Sequence, residues 1–517
     1  MFRQCLVSVS ILLFVCISAE AAPRTVRILH INDFHGFANP VVASSTAPPI
    51  GGAAFLATKV AELKADGNAL FLSAGDLVQG DSWVNLSQGR ASIELMNLMG
   101  LDATCLGNHE FDFGMAALKQ RISEARFPML AANLYSMPEV SASRLFERNG
   151  LKISVIGIVT DETPQSSHPR NTVGLKFASP VETARKQIAA ASPDTDLIVL
   201  LTHLGHEVDR KLAESLCTGT EALALSVVVV GGHSHTRVEK PVQIGNCYVL
   251  QAWEYGKVLG VADISIEDRK IVKIDGRLLE IKPSEVKPLP EVQSLVDRYN
   301  KEVTAILGRQ VGSSDVDLVQ QGVRQQETNF GDLIADIVRK ETGAQAALIN
   351  GGSIRTGIPK GPITARQVYA SIPFNNYLVA VRMTGAQLLE TLEHGVSGIE
   401  NGEGRFPQVS GIRFAFDPTR PVGKRILSVS VDGKPLDTSK EYTVATLDFI
   451  AAGGDGYTAF GKAIRSSGDF SEVAGAMKSS RLVYNDPGRY LRDVVLETLG
   501  RVSNISPVVD GRISRPK

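Results

Sequence analysis

From residue 25 onward the chain alternates two kinds of segment. Residues 25–31 follow the two-residue period of a strand, and 69–72 form a short apolar run of the kind buried inside a sheet. Between them, residues 51–65 place Phe55, Leu56, Val60 and Leu63 at helical spacing. Residues 93–99 read as a helix stopped by Gly100, and further strands are predicted at 153–159, 197–201, 227–230 and 248–252. Alternation of this kind predicts an α/β architecture. Pro283, Pro288 and Pro290 interrupt it, and a helical face of Val292, Leu295, Val296, Tyr299, Val303 and Ile306 follows. This predicts a Pro-stiffened connector over 283–307, between a first domain (22–282) and a second (308–517). In the second, the pattern predicts a helix over 329–342, a strand at 346–349, and further elements at 378–382, 386–394 and 442–447.

Composition narrows the classes. The 517 residues carry 54 Lys+Arg against 55 Asp+Glu, a formal net charge of −1. That balance argues against a nucleic-acid binder, which would carry a basic excess. The contents of 44% hydrophobic and 21% charged residues are those of a globular chain. The length favours two domains. At the N-terminus, Arg3 precedes a mostly apolar run over 5–17 and a small-x-small site at Ala19-Glu20-Ala21. This pattern reads as a secretory signal peptide over 1–21, too short for a membrane span, so the mature chain is expected to be exported, periplasmic or extracellular. Cys5 and Cys16 then leave with the signal, and Cys105, Cys217 and Cys247 remain. In an oxidising compartment an odd count favours one disulfide, with Cys217 and Cys247 the better pair and Cys105 a buried thiol; three free thiols are the alternative.

Five predicted strands of the first domain end in residues of metal-ligand type. They give Asn32-Asp33-Phe34-His35-Gly36, Gly75-Asp76, Asn108-His109-Glu110-Phe111-Asp112, His203, and Gly231-Gly232-His233-Ser234-His235. Singly, each has an ordinary reading: an Asp after a strand is usually a turn or cap, and a lone His is usually a structural one. Together they hold five of the nine histidines. Ligands bind beyond the carboxyl ends of strands in α/β sheets. Two carboxylates, an amide and four imidazoles converging there suit two divalent ions. Ions about 3.5–4 Å apart need a bridging carboxylate, and they activate water near neutral pH.

These motifs, with Ile28-Leu29-His30-Ile31 before the first and Thr202-His203-Leu204-Gly205 around the fourth, resemble the calcineurin-like metallophosphatases. More narrowly, they resemble the secreted 5′-nucleotidase / UDP-sugar hydrolase family, in order from about Arg24 to the C-terminus. The resemblance implies a four-layer α/β/β/α metallophosphatase sandwich followed by a smaller α/β substrate-recognition domain. It implies that Asp33, His35 and His235 bind one metal, that Asp76 bridges, and that Asn108, His203 and His233 bind the second. It also implies a catalytic pair, His109 and Asp112, in which His109 stabilises the transferring phosphoryl and Asp112 holds its ring. Zinc is the expected ion, with manganese or cobalt as alternatives. Trp253, in Gln251-Ala252-Trp253-Glu254-Tyr255-Gly256, departs from the pattern, since the family commonly has a small residue there.

The second domain carries Arg324 ahead of Glu327-Thr328-Asn329-Phe330-Gly331-Asp332, then Asn350-Gly351-Gly352-Ser353-Ile354-Arg355, Pro373-Phe374-Asn375-Asn376, and Asp448-Phe449-Ile450-Ala451-Ala452-Gly453-Gly454-Asp455-Gly456-Tyr457. By the same resemblance, Arg324 and Arg355 clamp phosphate through their planar forks, and Phe374 and Phe449 sandwich a nucleobase. Asp455 accepts from ribose hydroxyls, Asn350 and Asn376 contact base or sugar, and Gly453 and Gly454 allow close backbone approach. The expectation is an exported two-metal nucleotide phosphohydrolase whose partner is a small nucleotide. No nucleic acid, no membrane span in the mature chain and no obligate protein partner are expected. UDP-sugars and nucleoside di- or triphosphates are further candidate substrates. The rivals are a 2′,3′-cyclic nucleotide phosphodiesterase / 3′-nucleotidase and a catalytically silent nucleotide-binding surface protein.

Overall fold

A computed structural model describes residues 23–42, 47–220, 222–223, 225–473 and 476–516; the predicted signal peptide lies outside these. The first half is built on two six-stranded sheets. One runs in the order Lys270–Glu280, Val258–Glu267, Arg24–Ile31, Ala69–Ser73, Ala103–Cys105, Met129–Leu130. The other runs Ser143–Arg148, Leu151–Val159, Leu197–His203, Val227–Gly231, Cys247–Gln251, Val242–Ile244.

Side-chain alternation explains the layering. Val26, Ile28, Leu70 and Leu72 point into one apolar layer with Val155, Val199, Leu201 and Val228 of the second sheet. Leu29, Ile31 and Phe71 point the other way, against the helix Ala53–Lys64. On the far side, Ile156, Ile198 and Leu200 pack on the helices Pro180–Ala191 and His206–Cys217. Each fully buried aliphatic side chain contributes about 1.5–3 kcal/mol. The result is four layers, helix, sheet, sheet and helix. The central strands of each sheet run parallel, so their carboxyl ends open onto one edge.

The second half has a five-stranded mixed sheet in the order Pro407–Ser410, Ala346–Asn350, Glu441–Leu447, Tyr377–Thr384, Leu482–Tyr490. It is flanked by Asn329–Thr342, Gly385–Gly395, Thr458–Arg465 and Leu491–Val502. Between the halves lies the helix Pro290–Leu307, with Pro290 in its first turn. Its buried face is Val292, Val296, Tyr299, Val303 and Leu307. Ile306, expected on that face, is 60% exposed; the buried face steps by four from Val303 to Leu307. Cys217 ends a helix and Cys247 opens a strand, and the two form a disulfide across a Cα–Cα distance of 5.8 Å. Cys105 is free and buried. Among the described residues, no helix is long and apolar enough to cross a membrane.

Candidate active site

The turns that leave the parallel strand ends are tight, and the backbone records it. Asp33 (φ 49°), His35 (φ 50°), Asp76 (φ 57°), His233 (φ 77°) and His235 (φ 52°) all occupy the left-handed region. Non-glycine residues avoid this region, and where it persists it marks turns and functional sites held by their surroundings. Gly107 is required for a different reason: a Cβ there would lie 2.2 Å from Asp76 Oδ1.

These turns bring carboxylates and imidazoles together. His203 Nε2 lies 3.1 Å from Asp76 Oδ2, His235 Nε2 lies 3.2 Å from Asp33 Oδ1, and His35 Nε2 lies 3.6 Å from Asp76 Oδ2. Each of these rings is fixed from behind. His35 Nδ1 meets the Gln79 carbonyl at 2.7 Å, His203 Nδ1 the Ala74 carbonyl at 2.6 Å, and His235 Nδ1 the Glu254 carboxylate at 2.6 Å. A ring nitrogen facing a carbonyl or carboxylate carries its proton there, leaving Nε2 as the donor to a metal. His233 differs, since its Nδ1 faces Asn108 Oδ1 at 2.9 Å and its backbone N–H donates to Asp33 Oδ2.

The donor set fits divalent ions. Three overlapping triads have ligand atoms within 4.8 Å of one another: Asp33, His35 and His235; His35, Asp76 and His109; Asp33, Asp76 and His203. Asp33 Oδ1 and His203 Nε2 are buried and make no well-angled hydrogen bond, although His235 Nε2 and Asp76 Oδ2 lie 3.2 and 3.1 Å from them, an arrangement that a bound cation would satisfy. Burial pushes the Asp76 carboxyl up, but His203 and His109 hold it well below the usual carboxylate range. Asn108 and His233 border the third triad, with the His233 and His203 rings 5.1 Å apart. Glu110, quoted in a motif but given no role from sequence, accepts backbone N–H groups from Asp76, Leu77 and Gly107, and so ties two of the loops together.

His109 lies on a single turn, His109–Phe111, that places Asp112 behind it, with Nδ1 2.7 Å from Asp112 Oδ2. Burial works against a charged ring, but Asp112 and Asp76 outweigh it and raise the His109 pKa. Ser167 donates to the other Asp112 oxygen. Nothing in the sequence around Ser167 marks this contact, because it joins positions 55 residues apart.

The second domain faces this cluster across a cavity of about 640 Å³, within the range of small-molecule sites. Arg324, Asn350, Arg355, Asn376, Phe449 and Asp455 all line it, as does Phe374. Asn350 donates to Asp455 Oδ2 at 2.6 Å, and Asp455 itself is left-handed (φ 51°). The Phe374 ring lies 5.6 Å from the His109 ring, with the Arg355 guanidinium 5.8 Å from its centre. Gly454 approaches Phe449 closely, since a Cβ there would lie 2.3 Å from the ring. Burial and the neighbouring Arg355 both lower the Arg324 pKa, so the two guanidiniums share one neighbourhood. Arg355 also donates to His35 Nε2 at 2.8 Å. The turn 400–405 lines the same cavity and brings Arg405, paired with Glu403, which carried no motif signal.

Two facing sheets with a carboxylate–imidazole cluster at their strand ends, and guanidiniums opposite, define a metal-dependent phosphoric ester hydrolase. Comparison with known proteins agrees. The calcineurin-like phosphoesterase family matches residues 26–237, and the 5′-nucleotidase C-terminal domain matches residues 310–462. Protein UshA of Escherichia coli is 30% identical over 76% of this chain and 78% of its own length. The trifunctional nucleotide phosphoesterase YfkN of Bacillus subtilis is 32% identical over 94% of this chain, which spans only 34% of that longer protein. A 5′-nucleotidase precursor from Thermus thermophilus superposes with a TM-score of 0.85 at 32% identity, covering 95% of this chain and 99% of that one. The chain belongs to the 5′-nucleotidase / UDP-sugar hydrolase family of phosphoesterases.

Proposed function

We propose that the protein is an exported two-metal 5′-nucleotidase that releases phosphate from extracytoplasmic nucleotides. Its first domain (22–282) carries the chemistry, and its second (308–517) presents the nucleotide across the connector at 283–307. In this reading Asp33, His35 and His235 hold one divalent ion, Asn108, His203 and His233 the other, and Asp76 bridges them. Imidazole and carboxylate donors favour zinc, with manganese or cobalt as alternatives. Bound there, such ions polarise phosphate oxygens and lower the pKa of water.

The chain's own residues supply the rest. Arg324 and Arg355 neutralise the phosphate through their forks. Arg355 donates to His35 Nε2, and were that nitrogen to ligate a metal the guanidinium would be free for the substrate. His109 donates to the transferring phosphoryl and to the leaving nucleoside oxygen, while Asp112 keeps Nδ1 engaged and the ring aimed. Phe374 and Phe449 flank the base, Asn376 contacts it, and Asp455, fixed by Asn350, accepts from the ribose. The Cys217–Cys247 disulfide supports export, since such bonds persist in oxidising compartments.

The observation that carries this reading is a cavity lined by Asp76, Asn108, His109, His233 and His235 on one side and by Arg324, Arg355, Phe374 and Phe449 on the other. A panel of 5′-mono-, di- and triphosphates, UDP-sugars, 3′-nucleotides and 2′,3′-cyclic nucleotides tests it by phosphate release. Turnover of 5′-monophosphates is expected. Turnover of cyclic or 3′-nucleotides alone would install the phosphodiesterase reading, and nucleotide binding without any turnover in added metal would install the silent binder.

A further inference from the structure

We propose that the loop Trp253–Lys257 holds the His235 ring in its ligating orientation, with Glu254 as the positioning residue and Lys257 as its counter-charge. The proposal rests on the reading of His235 as a metal ligand. His235 Nδ1 lies 2.6 Å from Glu254 Oε2, and Lys257 Nζ donates to Glu254 Oε1 at 2.5 Å. The side chains of Glu254 and Lys257 are 18% and 10% exposed, so this pair is largely withdrawn from water, where its attraction is stronger than at the surface.

The loop is built to keep this geometry. Trp253 (φ 57°), Tyr255 (φ 59°) and Gly256 (φ 63°) are all left-handed. Strained non-glycine positions persist only where contacts over-determine them, and those contacts are present here. Lys257 Nζ sits 4.4 Å from the centre of the Trp253 ring and 4.9 Å from that of Tyr255, which favours the ammonium through the ring faces. The Arg237 guanidinium lies 5.2 Å from the Trp253 ring centre. Tyr255 stacks on Phe37 at 4.1 Å and donates its hydroxyl to the Arg355 carbonyl. Trp253 therefore caps the lysine that balances Glu254.

The consequence falls on His235. His35 and His203 are backed by backbone carbonyls, which no side-chain substitution removes. His235 is backed by a side chain, and its own backbone is left-handed (φ 52°). With Glu254 accepting from Nδ1–H, Nε2 is turned toward Asp33 Oδ1, 3.2 Å away. Without Glu254 the ring loses the partner that holds this orientation.

Two measurements on the full chain test this. The first is the His235 Nδ1–H proton, read by ¹H–¹⁵N correlation in chelator-treated protein, with His235→Gln used only to assign its signal. Wild type is expected to show a downfield, exchange-protected Nδ1–H, Glu254→Gln to retain it, and Glu254→Ala to lose it. The second is zinc and manganese affinity by competition with a chromophoric chelator. Glu254→Ala is expected to weaken one of the two sites by about 10–100-fold, with Glu254→Gln and Lys257→Met losing less. An unchanged Nδ1–H signal in Glu254→Ala, or wild-type affinity at both sites, would overturn the proposal, as would a loss of thermal stability in metal-free Glu254→Ala with neither readout moved. If wild type bound neither metal, the metal reading would fall, while the Nδ1–H experiment would still decide whether Glu254 holds the ring.

Discussion

His109 shows how much chemistry a three-residue spacing can hold. One turn sets Asp112 behind the ring at 2.7 Å, and the ring itself faces the cavity beside Phe374. If it acts on the transition state and not as a ligand, His109→Ala keeps both metals and lowers kcat by about 10²–10⁴-fold. Metal content and kcat measured together check this, and an unchanged kcat with raised KM would mark a binding residue instead. The phenylalanines are open to a similar test. Truncating Phe374 or Phe449 to Ala is expected to weaken nucleotide binding by about 1–3 kcal/mol per lost stacking contact, with a smaller effect on an aryl phosphate that has no base. Equal losses on both substrates would show that the rings only fill the core. At this scale the sequence was legible wherever the chemistry clusters locally, as in Asp33-Phe34-His35 or His109 to Asp112. It was not legible for Glu254 and Ser167, whose contacts come from neighbours farther along the chain: Glu254 meets a ring 19 residues away, and Ser167 a carboxylate 55 residues away.

At the scale of elements, the helix over 329–342 and the strands ending at the site were readable because their period and caps agree. Thr328 caps the helix Asn329–Thr342, and Gly343 ends it in a left-handed turn. The longest hairpin, Val258–Glu267 with Lys270–Glu280, was not readable in the same way. Its connection is Asp268-Arg269, both with positive φ, in place of the Asn-Gly or Asp-Gly signal that such a turn favours. Its outer strand is largely half-exposed, so little of it reads as core. The disulfide ties a second pair of elements, the helix His206–Cys217 and the strand Cys247–Gln251, over a separation of 30 residues. Loop-closure entropy puts its contribution at about 3–4 kcal/mol. Cys217→Ala/Cys247→Ala is expected to lower the denaturation midpoint accordingly and to leave kcat intact, since neither sulfur lines the cavity. Denaturant titration and steady-state kinetics on the same sample check both halves of that statement.

Across the whole molecule, the cluster of imidazoles and carboxylates and the set of guanidiniums and aromatics belong to different domains, and polar contacts are among those that join them. Asn85 donates to the Pro373 carbonyl, His168 meets Asp448 at 3.1 Å, and Arg366 reaches Asn300 on the connecting helix. A nucleotide must touch both domains to react and must also enter and leave. This favours a rotation about 290–306, with an open form that exchanges nucleotide and a closed form that reacts. A reversible cross-link between the domains in the arrangement described here is expected to stop turnover, and reduction to restore it. Normal turnover in the linked enzyme would remove rotation from the mechanism. The proline-rich break and the helix after it were legible in the sequence, whereas the Asn85–Pro373 and His168–Asp448 contacts were not, because they join positions 288 and 280 residues apart. Whether the first domain needs two divalent ions to hydrolyse a nucleotide held by the second is decided by titrating chelator-treated protein with zinc or manganese. Bound metal and phosphate release from a 5′-nucleoside monophosphate are followed together, with Asp76→Ala alongside. Release is expected to rise to a plateau at about two ions per chain, and Asp76→Ala to lose at least one ion and its activity. Full metal loading of Asp76→Ala, or undiminished phosphate release from metal-free protein, would contradict the two-metal reading.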